Sequence, residues 1–145
     1  MTFTLGRFGE YGELQSTESR YHVKQRDDLL RLLPSQQFNS ILEFGCANGA
    51  NLRYFGQELK VDVKMLVGVD ICRSTQESYS SIEFHHASIE SFLNQNTRKF
   101  DLVLLSDVLE HIYNPWRVLE GIKKVMTANG VLLLSVPNIE NINYI

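Results

Sequence analysis

Five short apolar runs, at Ile41–Phe44, Met65–Asp70, Ile82–His86, Phe100–Leu105 and Val131–Val136, alternate with stretches of helical spacing along the chain. The second, fourth and fifth runs are almost continuously apolar, as expected of strands whose two faces are both covered by helices. The third alternates, with Ile82 and Phe84 apolar and Glu83 and His85 polar. That pattern suits an edge strand with one wet face. The alternation of strand and helix predicts an α/β fold on a doubly wound, mainly parallel sheet.

The helices are signposted to different degrees. From Arg20 to Leu33, an apolar side is supplied by Leu29, Leu30, Leu32 and Leu33, and Pro34 stops the pattern. Ala50 to Leu59 and Ser88 to Asn94 predict shorter helices. The best marked has Asn114 as its cap, Pro115 in its first turn and Val118, Leu119, Ile122, Val125 and Met126 at helical spacing. Asn129-Gly130 is the expected end. Residues 1–20 are polar and broken by Gly6, Gly9 and Gly12, which predicts a flexible arm ahead of one domain over 21–145.

Composition narrows the class. With 145 residues, 43% hydrophobic and 21% charged, the chain fits one ordinary globular domain. No apolar run approaches the ~18 residues of a membrane span. No basic segment followed by an apolar core opens the chain, so no signal peptide is expected. Two cysteines, Cys46 and Cys72, make no disulfide framework, and the expected compartment is a reducing cytoplasm. A net charge of −3 argues against a sequence-independent grip on nucleic acid.

Three segments carry chemistry. In Ile41-Leu42-Glu43-Phe44-Gly45-Cys46-Ala47-Asn48-Gly49 a strand runs into a glycine turn and then a helix. Such a turn lets backbone approach a ligand without a Cβ in the way, at the carboxyl edge of the sheet where ligands bind in folds of this kind. The dinucleotide spacing G-x-G-x-x-G fails, because Ala47 and Ala50 stand at its third and sixth positions. A simple tight turn is the other reading. The second segment ends the second strand at Asp70, where a carboxylate can accept both ribose hydroxyls of a nucleoside; a turn aspartate is the alternative. The third takes an apolar strand, Phe100 to Leu105, into the polar cluster Ser106, Asp107, Glu110 and His111. A solvated loop is the alternative there.

Taken together and in this order, the three segments resemble the class I S-adenosylmethionine-dependent methyltransferases. The likeness is strongest to a small-molecule subgroup with D-V-L-E-H after the fourth strand, here Asp107-Val108-Leu109-Glu110-His111, and extends to glycan-modifying members. The resemblance implies a Rossmann-like sheet of order 3-2-1-4-5 and S-adenosylmethionine as donor, with S-adenosylhomocysteine as product. It also implies roles. Glu43, Gly45, Cys46, Ala47 and Gly49 would wrap the methionine part of the donor, and Asp70 would hold the ribose. Ile71 would pack on adenine, with Ser88 and Ile89 beside the ring. Ser106 and Asp107 would lie near the methionine moiety, and Tyr21 would cover the donor. Ala47 departs from the usual middle glycine and Ser88 from a common aspartate. The family usually adds strands six and seven, giving 3-2-1-4-5-7-6, whereas only Asn138 to Ile145 follow here. The fifth strand is then expected to be an apolar edge, covered in a longer protein or by a second copy of the chain.

The implied reaction is in-line attack on a sulfonium methyl group by a small-molecule or glycan acceptor. A hydroxyl acceptor needs a base, and His111 has the imidazole for it, oriented by Asp107 or Glu110; a structural histidine is the alternative. No metal is expected: His85 and His86 point to opposite faces of their strand, and Asp107, Glu110 and His111 would share a face for an ion only if that segment were helical. Cys46 at the turn has no basic partner and is expected to be a spacer. Two other functions stay open, a donor-binding module without catalysis and a nicotinamide-dependent oxidoreductase.

Overall fold

The computed structural model of the protein describes residues 2–4, 25–58, 63–72 and 81–138. Six strands, β1 (Thr2–Thr4), β2 (Ser40–Phe44), β3 (Met65–Asp70), β4 (Ile82–His86), β5 (Phe100–Ser106) and β6 (Met126–Ser135), form one sheet of order β1-β6-β5-β2-β3-β4. Every pairing is parallel. The five strands expected from sequence thus lie in the order 3-2-1-4-5, with the alternating strand β4 at an edge.

Successive residues of each central strand face opposite layers. Leu42, Phe44, Val67, Val69, Val103, Leu105 and Leu132 point to one side and join Phe92, Val118 and Ile122 from α3 (Ile89–Gln95) and α4 (Pro115–Lys124). Ile41, Leu66, Leu102, Leu104, Val131 and Leu133 point to the other. There they meet Leu29 and Leu30 of α1 (Asp27–Leu30), Leu52 of α2 (Ala50–Arg53) and Phe55 of the π-helical turn Tyr54–Glu58 that continues it. The sheet is buried on both faces, which is why its strands read as unbroken apolar runs.

Three expectations are corrected. The helix that begins at Asn114 stops at Lys124, and Asn129-Gly130 lies inside β6 rather than at a helix end. The Phe100 N–H bonds to the Val125 carbonyl at 2.8 Å, which draws the chain into the sheet. The ladder then skips from Phe100↔Met126 to Leu102↔Val131, so the residues between bulge out, with the Thr127 hydroxyl bonded to Asp101 at 3.1 Å. Second, the first residues of the expected arm are a strand: β1 pairs Thr2–Thr4 with Val131, Leu132 and Leu133. Third, that pairing gives the apolar β6 edge a partner from its own chain, so the edge supplies no reason for a second copy. The rest of the arm, Tyr21 and the start of the Arg20–Leu33 pattern lie outside the described residues. No helix among the described residues is long and apolar enough to cross a membrane.

Candidate functional site

The carboxyl ends of β2, β3 and β5 meet at one edge of the sheet. β2 breaks at Gly45, whose N–H bonds to the Val69 carbonyl at 2.8 Å, and the Gly49 N–H closes the turn on the Cys46 carbonyl at 2.7 Å. Gly45, Ala47 and Gly49 all hold positive φ, at 68°, 46° and 77°. A Cβ at Gly45 would lie 2.4 Å from Val108 Cγ2, and one at Gly49 2.8 Å from Phe84 Cζ. Glycine therefore lets the segments after β5 and in β4 close against the turn. Ala47 adopts the left-handed conformation with a Cβ, at a cost of about 1–2 kcal/mol. Ala47→Gly is expected to raise stability by roughly 0.5–1 kcal/mol, the relief of strain exceeding the added chain entropy; a higher urea midpoint at unchanged slope would register it.

Asp70 pins this turn. Its Oδ2 accepts the Ala47 N–H and its Oδ1 the Cys72 N–H, each at 2.8 Å. Its backbone carbonyl accepts the Ala87 N–H at 3.0 Å, which brings the end of β4 alongside. Ile71, next along the chain, is 68% exposed and offers a bare apolar surface at this corner. Ser88, exposed, caps α3 by accepting the Ser91 N–H at 3.1 Å. Ile89 differs from expectation: its side chain is buried in the core with Val69 and Phe92.

Glu43 is buried under the turn, 2% exposed. Its Oε1 accepts from Asn51 Nδ2 at 2.6 Å, while Oε2 has no hydrogen-bond partner among the described residues. Burial pushes its carboxyl up to about 8, and the nearby charge of Asp70 adds to this; the Asn51 hydrogen bond and Arg53 oppose it. Glu43 is thus held largely protonated at neutral pH. Cys46 is buried, with its thiol in the space above Gly68. Burial, then the charges of Glu43 and Asp70, push the thiol well above its ordinary value. That agrees with a spacer and not a nucleophile.

β5 ends in Ser106, whose hydroxyl is likewise buried without a partner among the described residues. Asp107 follows with φ 53°. Its N–H bonds to the Ser135 carbonyl at 3.2 Å, its Oδ1 accepts the Ser135 hydroxyl at 2.7 Å, and its Oδ2 pairs with Arg26. With its carboxylate committed there, Asp107 does not orient His111. His111 closes a 3₁₀ turn at Leu109–His111, its side chain 78% exposed and its Nε2 3.9 Å from Glu110 Oε1. Among the described residues, no three His, Cys, Asp or Glu side chains converge on a metal position.

At this edge a glycine turn of left-handed residues, an acid on its backbone and two buried oxygens on neighbouring strands, both without partners among the described residues, lie together. A family profile described as "Methyltransferase domain" matches residues 17–142. The chain belongs to the methyltransferase domain family. Over 141 residues it is 23% identical to the ubiquinone biosynthesis O-methyltransferase of Histophilus somni, covering 92% of this chain and 56% of that protein. Among solved structures, the N-methyltransferase NodS from Bradyrhizobium japonicum, in complex with S-adenosylhomocysteine, is 26% identical with a TM-score of 0.59, over 73% of this chain and 57% of that one. The plantazolicin methyltransferase BpumL, also in complex with S-adenosylhomocysteine, has a TM-score of 0.63 at 20% identity, over 71% of this chain and 40% of that one, and shows the shared fold. The chain spans about half the length of the curated relatives it matches.

Within this methyltransferase domain, sequence reading missed Arg26, Asn51 and Ser135. All three act through contacts between segments distant in the chain. Only Asn51 left a trace, as a polar residue beside Leu52 where the helix turns to the core, and it is buried.

Proposed function

We propose that this domain binds S-adenosylmethionine and that the protein carrying it moves the donor's methyl group to a small-molecule or glycan acceptor, at a hydroxyl. The observation that carries the reading is the turn Gly45–Gly49, held in left-handed backbone by Asp70. Bound there, the donor supplies a methyl group already activated on a sulfonium. The turn backbone would meet its methionine part, with Glu43 and Ser106 behind it, their Oε2 and Oγ buried and without a partner among the described residues. The remaining lone pairs of Asp70 accept the ribose hydroxyls, and exposed Ile71 gives adenine an apolar surface, with Ser88 at the rim. O-methylation is favoured by the curated relatives, which are named as ubiquinone O-methyltransferases.

His111, exposed beyond β5, takes the proton from the attacking hydroxyl on its imidazole. Donor positioning and proton removal are then separate tasks. His111→Ala is expected to lower kcat roughly 10²–10³-fold on the true acceptor, with affinity for S-adenosylhomocysteine unchanged; intact turnover would remove it from the mechanism. The donor reading is tested by calorimetric titration with S-adenosylhomocysteine, with NADH as control. Saturable binding of the first alone is expected. A folded chain, and a longer protein containing it, that both fail to bind would overturn it.

A further inference from the structure

The strongest unexplained feature of the site is the residue just ahead of α1. Arg26 bonds to Asn51, Asp28 and Asp107, which lie on different elements. Its backbone N–H bonds to Asn51 Oδ1 on α2 at 2.8 Å. Its guanidinium pairs with Asp107 beyond β5 and, through Nε and Nη2, with Asp28 at 3.1 Å each. Asn51 passes the connection on: its amide oxygen receives Arg26 while its Nδ2 donates to Glu43 Oε1 at 2.6 Å. Asp107 does so on the other side, through the Ser135 hydroxyl at 2.7 Å to the end of β6. A continuous polar chain therefore runs Glu43–Asn51–Arg26–Asp107–Ser135 across the carboxyl edge of the sheet. It fixes one oxygen of Glu43 and leaves the other, Oε2, without a partner among the described residues.

We infer that Arg26 is a positioning residue that locks the segment ahead of α1 across the ends of β2 and β5, setting the arrangement in which Glu43 and Asp107 meet the methionine part of a bound donor. The inference rests on the donor reading given above. Two features make a lock rather than a surface ion pair. Asp107 sits at positive φ, a conformation uncommon outside glycine, and Ser135 holds both its N–H and its Oδ1 there. Arg26 is also largely withdrawn from solvent, its side chain 21% exposed. Burial opposes its charge, yet Asp28 and Asp107 outweigh burial and hold the guanidinium above its ordinary value. Lysine can replace the charge on Asp107 but not the fork that engages Asp28 at the same time.

The test uses the 145-residue chain and S-adenosylhomocysteine as probe, with Arg26→Ala, Arg26→Lys and Asp107→Asn. Arg26→Ala is expected to weaken binding by roughly tenfold or more, the loss of one charged hydrogen-bond link, and Arg26→Lys to recover most of it. A folded Arg26→Ala chain that binds within about twofold of the parent overturns the inference. If Arg26→Ala does not fold, an Asp107→Asn chain that binds like the parent overturns it equally. If neither the parent chain nor a longer protein containing it binds S-adenosylhomocysteine, the donor reading fails instead. The lock is then judged by urea unfolding of Asp107→Asn, Asn51→Ala and their double variant. Among the described residues no hydrogen bond joins these two side chains directly, so coupling through Arg26 predicts a double effect smaller than the separate effects combined, becoming additive once Arg26→Ala is introduced. Additivity in the parent background overturns the lock; an arginine that merely stabilised the fold would leave that coupling at zero.

Discussion

Asp70→Ala abolishes measurable binding of S-adenosylhomocysteine to the folded chain, a loss expected to exceed roughly a hundredfold. Two effects combine. The carboxylate accepts the Ala47 and Cys72 N–H groups, and charged hydrogen bonds of this kind are worth about 1.5–3 kcal/mol each. Removing it frees a turn whose left-handed residues have little local preference to stay curled. It also removes the acceptor proposed for the ribose hydroxyls. Asp70→Asn, which keeps one acceptor oxygen, should fall between the parent and Asp70→Ala. Calorimetry alongside urea unfolding separates loss of site from loss of fold. Asp70→Ala that stays folded and binds at near-parent affinity would show that the donor is held elsewhere.

Glu43→Gln removes a pH dependence of stability that the parent carries between about pH 4.5 and 8. The carboxyl titrates near 4.5 when unfolded and near 8 when buried. In that window the folded chain keeps a proton that the unfolded chain has lost. Glu43's contribution is therefore fully present below about 4.5 and declines as pH rises toward 8. At roughly 1.4 kcal/mol per pH unit the decline amounts to a few kcal/mol across the window. Glutamine keeps the shape and the Asn51 hydrogen bond without the charge. The variant should be more stable than the parent at pH 8 and close to it at pH 4.5. Urea midpoints every half unit would show this, and parallel curves for the two chains would mean that Glu43 is ionised in the fold.

Much of this architecture was legible because it follows from local pattern. The apolar runs at Ile41, Met65, Phe100 and Val131 marked the buried strands, and the alternation of Ile82, Glu83, Phe84 and His85 marked the edge. Glycines at 45 and 49 marked a turn that only left-handed backbone could make. Asn114 and Pro115 marked the start of α4, and Asn114 does accept the Arg117 N–H at 3.2 Å. Its end was misread because Val125 and Met126 satisfy a helical period as well as a strand. The competing bond, from Phe100 N–H to Val125, comes from a strand far away in sequence.

Sequence by itself determined the order of strands and helices, the glycine turn and the acids at Glu43, Asp70 and Asp107, because hydrophobic period and turn chemistry act between near neighbours. Only the tertiary structure decided what those acids do. Burial raises the Glu43 carboxyl, whereas contacts with distant segments make Asp70 a clamp on backbone and Asp107 the partner of Arg26, 81 positions away. It also closed the β6 edge with β1 from the opposite end of the chain. Such contacts form between segments whose own patterns are complete without them, so nothing in either segment announces the other.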